Sequence, residues 1–266
     1  MNSENFGVVT IANTDFYYEL AKNLAKSCKL FNVPVTVLTD KHIDTDVFDR
    51  QIIIDIPNTY FEEIWLLKPN AINKVDHYDI ACYVDADSLM FNSYEPCIAA
   101  LGDRGFMQPN FKFIPENSNW AFKRSARSVA RDYGIADDRK LSMLNGGYFC
   151  WRVGHDESYQ WVAEFYKALR FMKDHHLGIR DESAMFLAHM KMNLSQEYYK
   201  DTMSCLWTTS ARRYDDTWKI FTCKDEFGEI TTPTFGHYGS GHIIPVVGSF
   251  FTYEYSDRVK ILNELL

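Results

Sequence analysis

Two carboxylates, Asp85 and Asp87, follow the apolar run Ile80-Ala81-Cys82-Tyr83-Val84 and are separated by one small residue, Ala86. Side chains two apart on a strand share a face, so continuing the run as strand predicts both acids on the same side. Hard oxygen donors so arranged suit Mg²⁺ or Mn²⁺. A cation held at the carboxyl end of a buried strand bridges a diphosphate and offsets the charge of a departing nucleotide. Short acid pairs also arise by chance, and the chain carries a second, Asp44-Thr45-Asp46. That one sits in a polar stretch with no apolar run before it and reads as loop. The setting of Asp85 and Asp87 therefore decides their meaning.

The elements that must position them are those of an α/β chain. Phe6 to Ala12 reads as a buried strand, followed by a helix from Asp15 to Phe31 with Leu20, Leu24 and Cys28 at four-residue spacing. Val33–Thr39 and Gln51–Ile56 read as strands, Tyr60–Lys68 as a helix, and Pro69 as the first-turn residue of another. Ile80–Val84 is a fourth strand. Strands alternating with helices imply a mostly parallel, twisted sheet flanked by helices, with ligands at the carboxyl ends of its strands. Beyond that the pattern is less regular. Gly105–Gln108 and Leu144–Val153 carry strand residues, while 118–133, 157–172 and 181–192 look helical. Thr202 to Ser249 suits loops and short strands around a pocket, and Val259–Leu266 a short amphipathic helix packed on the domain.

Composition narrows the class. The chain has 266 residues, 46% hydrophobic and 15% aromatic, which is ample for one large core. A formal net charge of −8 argues against a dedicated nucleic-acid binder. Six cysteines without a C-x-x-C pair predict buried reduced thiols rather than a disulfide framework or zinc site. No apolar run reaches spanning length, and Met1-Asn2-Ser3-Glu4 does not open a signal peptide, so a cytoplasmic protein without a transmembrane segment is expected.

Several further groups could do chemistry. Asn13, Thr14 and Tyr17 follow the first strand, where α/β folds bind nucleotides: Tyr17 could stack on a base while Thr14 reads its polar edge. Asn13 and Thr14 could equally cap the next helix. Lys68, in an apolar segment, is either a diphosphate contact or an exposed junction lysine. Asn145-Gly146-Gly147 offers an amide and close backbone approach, or an ordinary hairpin turn. Asp181 and Glu182 could be the acidic first turn of a helix. Lys123, Arg127 and Arg131, with Arg124 beside them, would share a helical face that is a solvated surface or a seat for an anionic acceptor.

The order of these pieces resembles the retaining GT-A glycosyltransferases of the glycogenin and lipooligosaccharide galactosyltransferase type, family eight. Thr10-Ile11-Ala12-Asn13-Thr14-Asp15-Phe16-Tyr17 looks like that family's opening strand and nucleotide-base loop, and Lys68 stands at about the family's separation from the acid pair. Tyr83-Val84-Asp85-Ala86-Asp87-Ser88 resembles its D-x-D segment, Leu144-Asn145-Gly146-Gly147-Tyr148 its glycine turn, and His237-Tyr238 its late His-aromatic pair. Asp181-Glu182 falls where the family has Asp-Gln. The resemblance implies a single GT-A domain, residues 1–109 binding the nucleotide sugar and 110–266 shaping the donor-sugar and acceptor part. It implies Mn²⁺ or Mg²⁺ on Asp85, Asp87 and His237, and a UDP-sugar donor contacting Ile11, Ala12, Asn13, Thr14, Tyr17, Lys68, Ala86 and Asn145-Gly146-Gly147. Asp181 would contact sugar hydroxyls, and Glu182 would face the anomeric carbon opposite the leaving group.

One segment departs from the family, which usually follows its late histidine with a glycine and then Lys-Pro-Trp. Here Gly239-Ser240-Gly241-His242-Ile243-Ile244-Pro245 contains no lysine, so Gly239 and His242 are the expected substitutes on the phosphates, His242 being also an alternative metal ligand. The expected activity is metal-dependent transfer of a hexosyl group from a UDP-sugar to a glycan, protein or small-molecule hydroxyl, with retention. The alternatives are an inverting enzyme on the same scaffold and a catalytically silent nucleotide-sugar or carbohydrate binder.

Overall fold

The computed structural model describes residues 4–56, 67–113, 122, 124–136, 138, 140–144, 146–178, 180–194, 201–205, 212–214, 221–224, 230–231, 233–238 and 250–266. In chain order the first half contains β1 (Phe6–Ala12), α1 (Asp15–Lys29), β2 (Val35–Thr39), β3 (Arg50–Ile53), α2 (Asn70–Lys74), β4 (Ile80–Val84), β5 (Ser88–Met90), α3 (Glu95–Leu101), β6 (Phe106–Met107) and β7 (Asn110–Phe113). The second half contains α4 (Ala126–Asp132), β8 (Ser142–Leu144), β9 (Tyr148–Arg152), α5 (Asp156–Asp174), α6 (Asp181–Lys191), β10 (Met203–Cys205), β11 (Arg212–Tyr214), β12 (Phe221–Lys224), β13 (Ile230–Thr231), β14 (Phe235–His237) and α7 (Phe250–Leu265).

The apolar runs become the centre of the molecule. All residues of β1, β2 and β4 are buried, as strands covered on both faces must be. They form a six-stranded sheet in the order β3-β2-β1-β4-β9-β6. β3, β2, β1 and β4 run parallel, and β9 runs antiparallel between β4 and β6. Alternate residues enter opposite cores. Val8, Val35, Cys82 and Val84 pack with Leu20, Leu24 and Cys28 of α1. Val9, Ile11, Ala81 and Tyr83 pack with Trp161 and Phe165 of α5 and Met185 and Phe186 of α6.

Three smaller sheets accompany this central one. β10, β14 and β5 form one sheet, β14 parallel to β10 and antiparallel to β5. β7 pairs with β8, and β11, β12 and β13 make a meander. This is a mixed α/β architecture with a mostly parallel central sheet, as expected.

Local boundaries shift for identifiable reasons. Ser125 caps α4 by accepting from the Ser128 amide, so that helix starts at Ala126 rather than at 118. Lys123 lies outside the described residues. Arg124 instead binds Asp132 and Ser128 on its own surface. Pro69 stands at the N-cap of α2 rather than inside its first turn. The helix expected over 60–68 falls mainly in residues outside the description, and α7 begins well before the expected 259.

The cysteines require a correction. β9 brings Cys150 directly opposite Cys82, with Cα atoms 4.2 Å apart, and the two form a disulfide; Cys28 and Cys97 are buried free thiols. Reduced thiols were expected because nothing in the local pattern pairs strands 68 residues apart. Titrating the unfolded protein with a thiol reagent is expected to find two more thiols after reduction than before. Closing a loop of that length corresponds to about 4 kcal/mol on a chain-entropy account, so reduction should lower stability by up to that amount. Equal thiol counts would mean that the bond is absent.

Candidate metal centre

Beyond Val84 the chain leaves β4 and turns. The Ser88 amide donates to the Asp85 carbonyl (3.1 Å), closing a turn around Ala86-Asp87. The Asp85 amide donates to the Gly147 carbonyl (2.9 Å), and the Tyr238 amide to the Asp87 carbonyl (3.0 Å). Asp85 and Asp87 thus converge through a turn pinned to β9 on one side and to the end of β14 on the other. The expectation that strand alternation aligns them is wrong, because the strand ends one residue before the pair.

His237 arrives through sheet pairing. β14 lies antiparallel to β5 with His237 opposite Ser88, which sets the imidazole beside the turn. Its Nε2 is 3.0 Å from Asp87 Oδ1 and 3.7 Å from Asp85 Oδ2. One ligand atom from each of Asp85, Asp87 and His237 falls within 4.8 Å of the others. Two carboxylates with an imidazole make a mixed oxygen and nitrogen set that fits a divalent cation. Burial disfavours the charged imidazole, yet Asp87 and then Asp85 outweigh it and raise the His237 pKa. Burial, aided by Asp87 and opposed by Lys68, pushes the Asp85 carboxyl above its usual range. A divalent charge would reverse that by favouring the ionised carboxylate.

Lys68 is a buried bridge rather than a surface lysine. Its Nζ lies 2.9 Å from the Asp85 carboxylate, 3.0 Å from Asp181 Oδ2 and 3.1 Å from the Gly146 carbonyl. Burial opposes its charge, but Asp181 and Asp85 more than compensate and raise its pKa. Tyr83, two residues before Asp85, donates its hydroxyl to Asp85 Oδ1 at 2.7 Å. Nothing in the local pattern marked Tyr83 beyond an apolar strand position.

Gly146 and Gly147 are required for room, not for turn conformation, since the positive-φ glycines of the described chain lie elsewhere. A Cβ on Gly147 would stand 2.6 Å from His237 Cε1 and 2.9 Å from Asp85 Oδ2. One on Gly146 would stand 2.9 Å from Glu182 Cγ and 3.0 Å from Asp181 Oδ2. Backbone therefore reaches both acidic pairs at distances where a Cβ would displace His237 or the acids. Asn145, Gly239 and His242 lie outside the described residues.

Asp181 and Glu182 do open α6, as the helical alternative held, and the helix start also aims them at Lys68 and Gly146. Burial first, then Asp181, raises the Glu182 pKa from 4.5 to about 7.

Near the end of β1, Ile11 and Ala12 are buried and Asn13 is half-buried. Thr14 caps α1 by accepting from the Tyr17 amide at 3.3 Å. Tyr17 packs against the core, whereas the neighbouring Phe16 is 39% exposed with its ring edge-on to Tyr17 at 5.4 Å. Phe16 therefore offers the more exposed aromatic face, beside a partly buried Tyr17.

A mostly parallel sheet with one reversed strand, carrying a D-x-D turn at the end of its fourth strand, defines the class: this is the GT-A glycosyltransferase fold. Among solved structures the chain is similar to the galactosyltransferase LgtC in complex with donor and acceptor sugar analogs, at 12% identity and a TM-score of 0.60, covering 96% of this chain and 95% of that one. An active-site variant of LgtC matches with the same figures. No protein-family model and no curated protein sequence matches the chain.

Two predictions follow from the packing. Gly147→Ala should weaken Mn²⁺ binding at least about tenfold, the scale of a disturbed metal surround, with the far-ultraviolet spectrum unchanged. Unaltered titration calorimetry would separate Gly147 from the centre. For Glu182, a folded pKa above the unfolded value gives stability that is complete below about 4.5 and lost as pH rises through about 7. In metal-free protein, Glu182→Gln should therefore gain melting temperature over the parent between those pH values; parallel curves would exclude the raised pKa.

Proposed function

We propose that this protein is a glycosyltransferase that moves a hexosyl group from a UDP-sugar to an acceptor hydroxyl with retention of configuration. The observation that carries this reading is the meeting of Asp85, Asp87 and His237 beside Asp181 and Glu182, with Lys68 between the two acidic sets. A divalent cation, Mn²⁺ in this reading, would be held by Asp85, Asp87 and His237 and would neutralise charge developing on the diphosphate leaving group.

The remaining work falls to the chain itself. Lys68 fixes the spacing of Asp85 and Asp181 and keeps a positive charge near the diphosphate. Asp181 accepts hydrogen bonds from donor-sugar hydroxyls, and the backbone at Gly146 and Gly147 approaches the sugar where a side chain would block it. Glu182, when ionised, sets negative charge against the oxocarbenium-like anomeric carbon from the face opposite the leaving group. The C1–O bond to the diphosphate breaks, a C1–O bond to the acceptor oxygen forms on the same face, and the acceptor proton passes to the departing side. LgtC, a galactosyltransferase, supplies a structural precedent, including an active-site variant in which glutamine is replaced by glutamate. This chain has glutamate at Glu182 by its own sequence.

Phe16 offers a stacking face for the base, with Ile11, Ala12, Asn13 and Thr14 beneath the nucleoside. Residues 1–109 form the nucleotide part and 110–266 the donor-sugar and acceptor part of one domain. Among the described residues no helix is long and apolar enough to cross a membrane. A cytoplasmic setting agrees with the buried thiols Cys28 and Cys97, while the Cys82–Cys150 bond argues for a more oxidising one. The missing lysine after His237 favours a second reading, a binder that holds a nucleotide sugar without turning it over.

Incubation with Mn²⁺ and UDP-hexoses should release free hexose and UDP slowly, chelation should stop the release, and Asp87→Asn should lower it at least about a hundredfold with the fold retained. Binding without release would favour the silent reading, and a fully active Asp87→Asn enzyme would sink the metal assignment.

A further inference from the structure

Asp40 lies at the end of the strand next to β1 and has no part in the chemistry above. β1 and β2 are parallel with Ala12 opposite Thr39, so Asp40 emerges beside the Asn13-Thr14 loop. Its exposed carboxylate is fixed in place: the buried Tyr18 donates its hydroxyl to Oδ1 at 2.5 Å, and the Thr39 hydroxyl lies 3.5 Å from the same oxygen. Lys41 covers the Tyr18 ring at 4.8 Å and reaches Asp15 at 3.6 Å, which ties this corner to the turn of α1 that presents Phe16. An exposed aromatic face in the first turn of α1 and an immobilised carboxylate just past β2 thus belong to one corner.

Sheet order tells what part of a nucleotide reaches Asp40. β4, whose end carries Asp85 and Asp87, is followed across the sheet by β1 and then β2. Two strand spacings are about 10 Å, comparable with the reach from a diphosphate across its ribose to the pairing edge of the base. A diphosphate at Asp85 and Asp87 therefore places the ribose over Asn13 and the base edge over β2. We propose that Asp40 is the residue that selects the nucleobase, accepting the ring N–H of a base that carries one on its pairing edge. This rests on the reading of the site as one for nucleotide sugars. Uracil (N3–H) and guanine (N1–H) meet the requirement, whereas cytosine and adenine present a lone pair to the carboxylate. Because Tyr18 occupies one oxygen as donor, the other accepts from the ligand, and Phe16 supplies stacking indifferent to base identity.

The test is calorimetric binding of UDP, GDP, CDP and ADP with Mn²⁺ to the full chain and to Asp40→Asn and Asp40→Ala, with Mn²⁺ alone as control. The parent should favour UDP or GDP over CDP and ADP at least about tenfold, as loss of one hydrogen bond to a charged acceptor implies. Both variants should narrow that ratio to within about threefold while binding Mn²⁺ like the parent. A preference kept in both variants, or a parent that favours CDP or ADP, overturns the role of Asp40 and leaves the nucleotide-sugar reading standing. A parent that binds Mn²⁺ but no nucleoside diphosphate overturns both, and is recognised without any variant. Tighter binding of GDP than UDP supports Asp40 and corrects the donor to a guanosine diphosphate sugar.

Discussion

Charge crowding at one end of the central sheet is the constraint on which the site depends. Asp85, Asp87, Asp181 and Glu182 come together where burial raises the cost of each negative charge. Two basic groups answer that cost from inside: the Lys68 ammonium sits between Asp85 and Asp181, and the His237 imidazole lies against Asp87, which raises its pKa. Even so, Glu182 is pushed to about 7 and Asp85 upward, so the compensation is incomplete. A site in that condition gains from a further positive charge, which is the electrostatic case for a divalent cation.

Close backbone approach is the second constraint. The turn leading into β9, Gly146 and Gly147, reaches both acidic pairs without side chains of its own. The Gly147 carbonyl receives the Asp85 amide and the Gly146 carbonyl receives Lys68. The glycine segment therefore holds together the metal ligands and the acids of α6, which gives it a role beyond reversing the chain. Cys82 and Cys150 join the same two strands farther down.

The top of the sheet is divided by strand. The ends of β2 and β1 present Asp40 and Asn13, the first turn of α1 presents Phe16, the end of β4 presents the acidic turn, and the turn before β9 with α6 presents the glycines and the acids Asp181 and Glu182. Residues far apart in the chain are thereby gathered along one end of the sheet.

The amino-acid sequence alone determined the strands β1 and β4 to the residue, because unbroken apolar runs leave no other way to bury their side chains. It also determined the types of residue at the centre: the two acids, the lysine, the glycines and the histidine were identifiable by kind and order. Tertiary structure decided their relations. Whether Asp85 and Asp87 converged through a strand or a turn rested on Gly147 and Tyr238 binding that turn, contacts made across 62 and 151 residues of chain. The antiparallel course of β9, the pairing of β14 with β5 and the union of Cys82 with Cys150 are long-range events as well. Local periodicity reports which side of a segment is buried and says nothing of what the other partner will be, so the burial of Lys68 between Asp85 and Asp181 emerged only when the chain closed on itself.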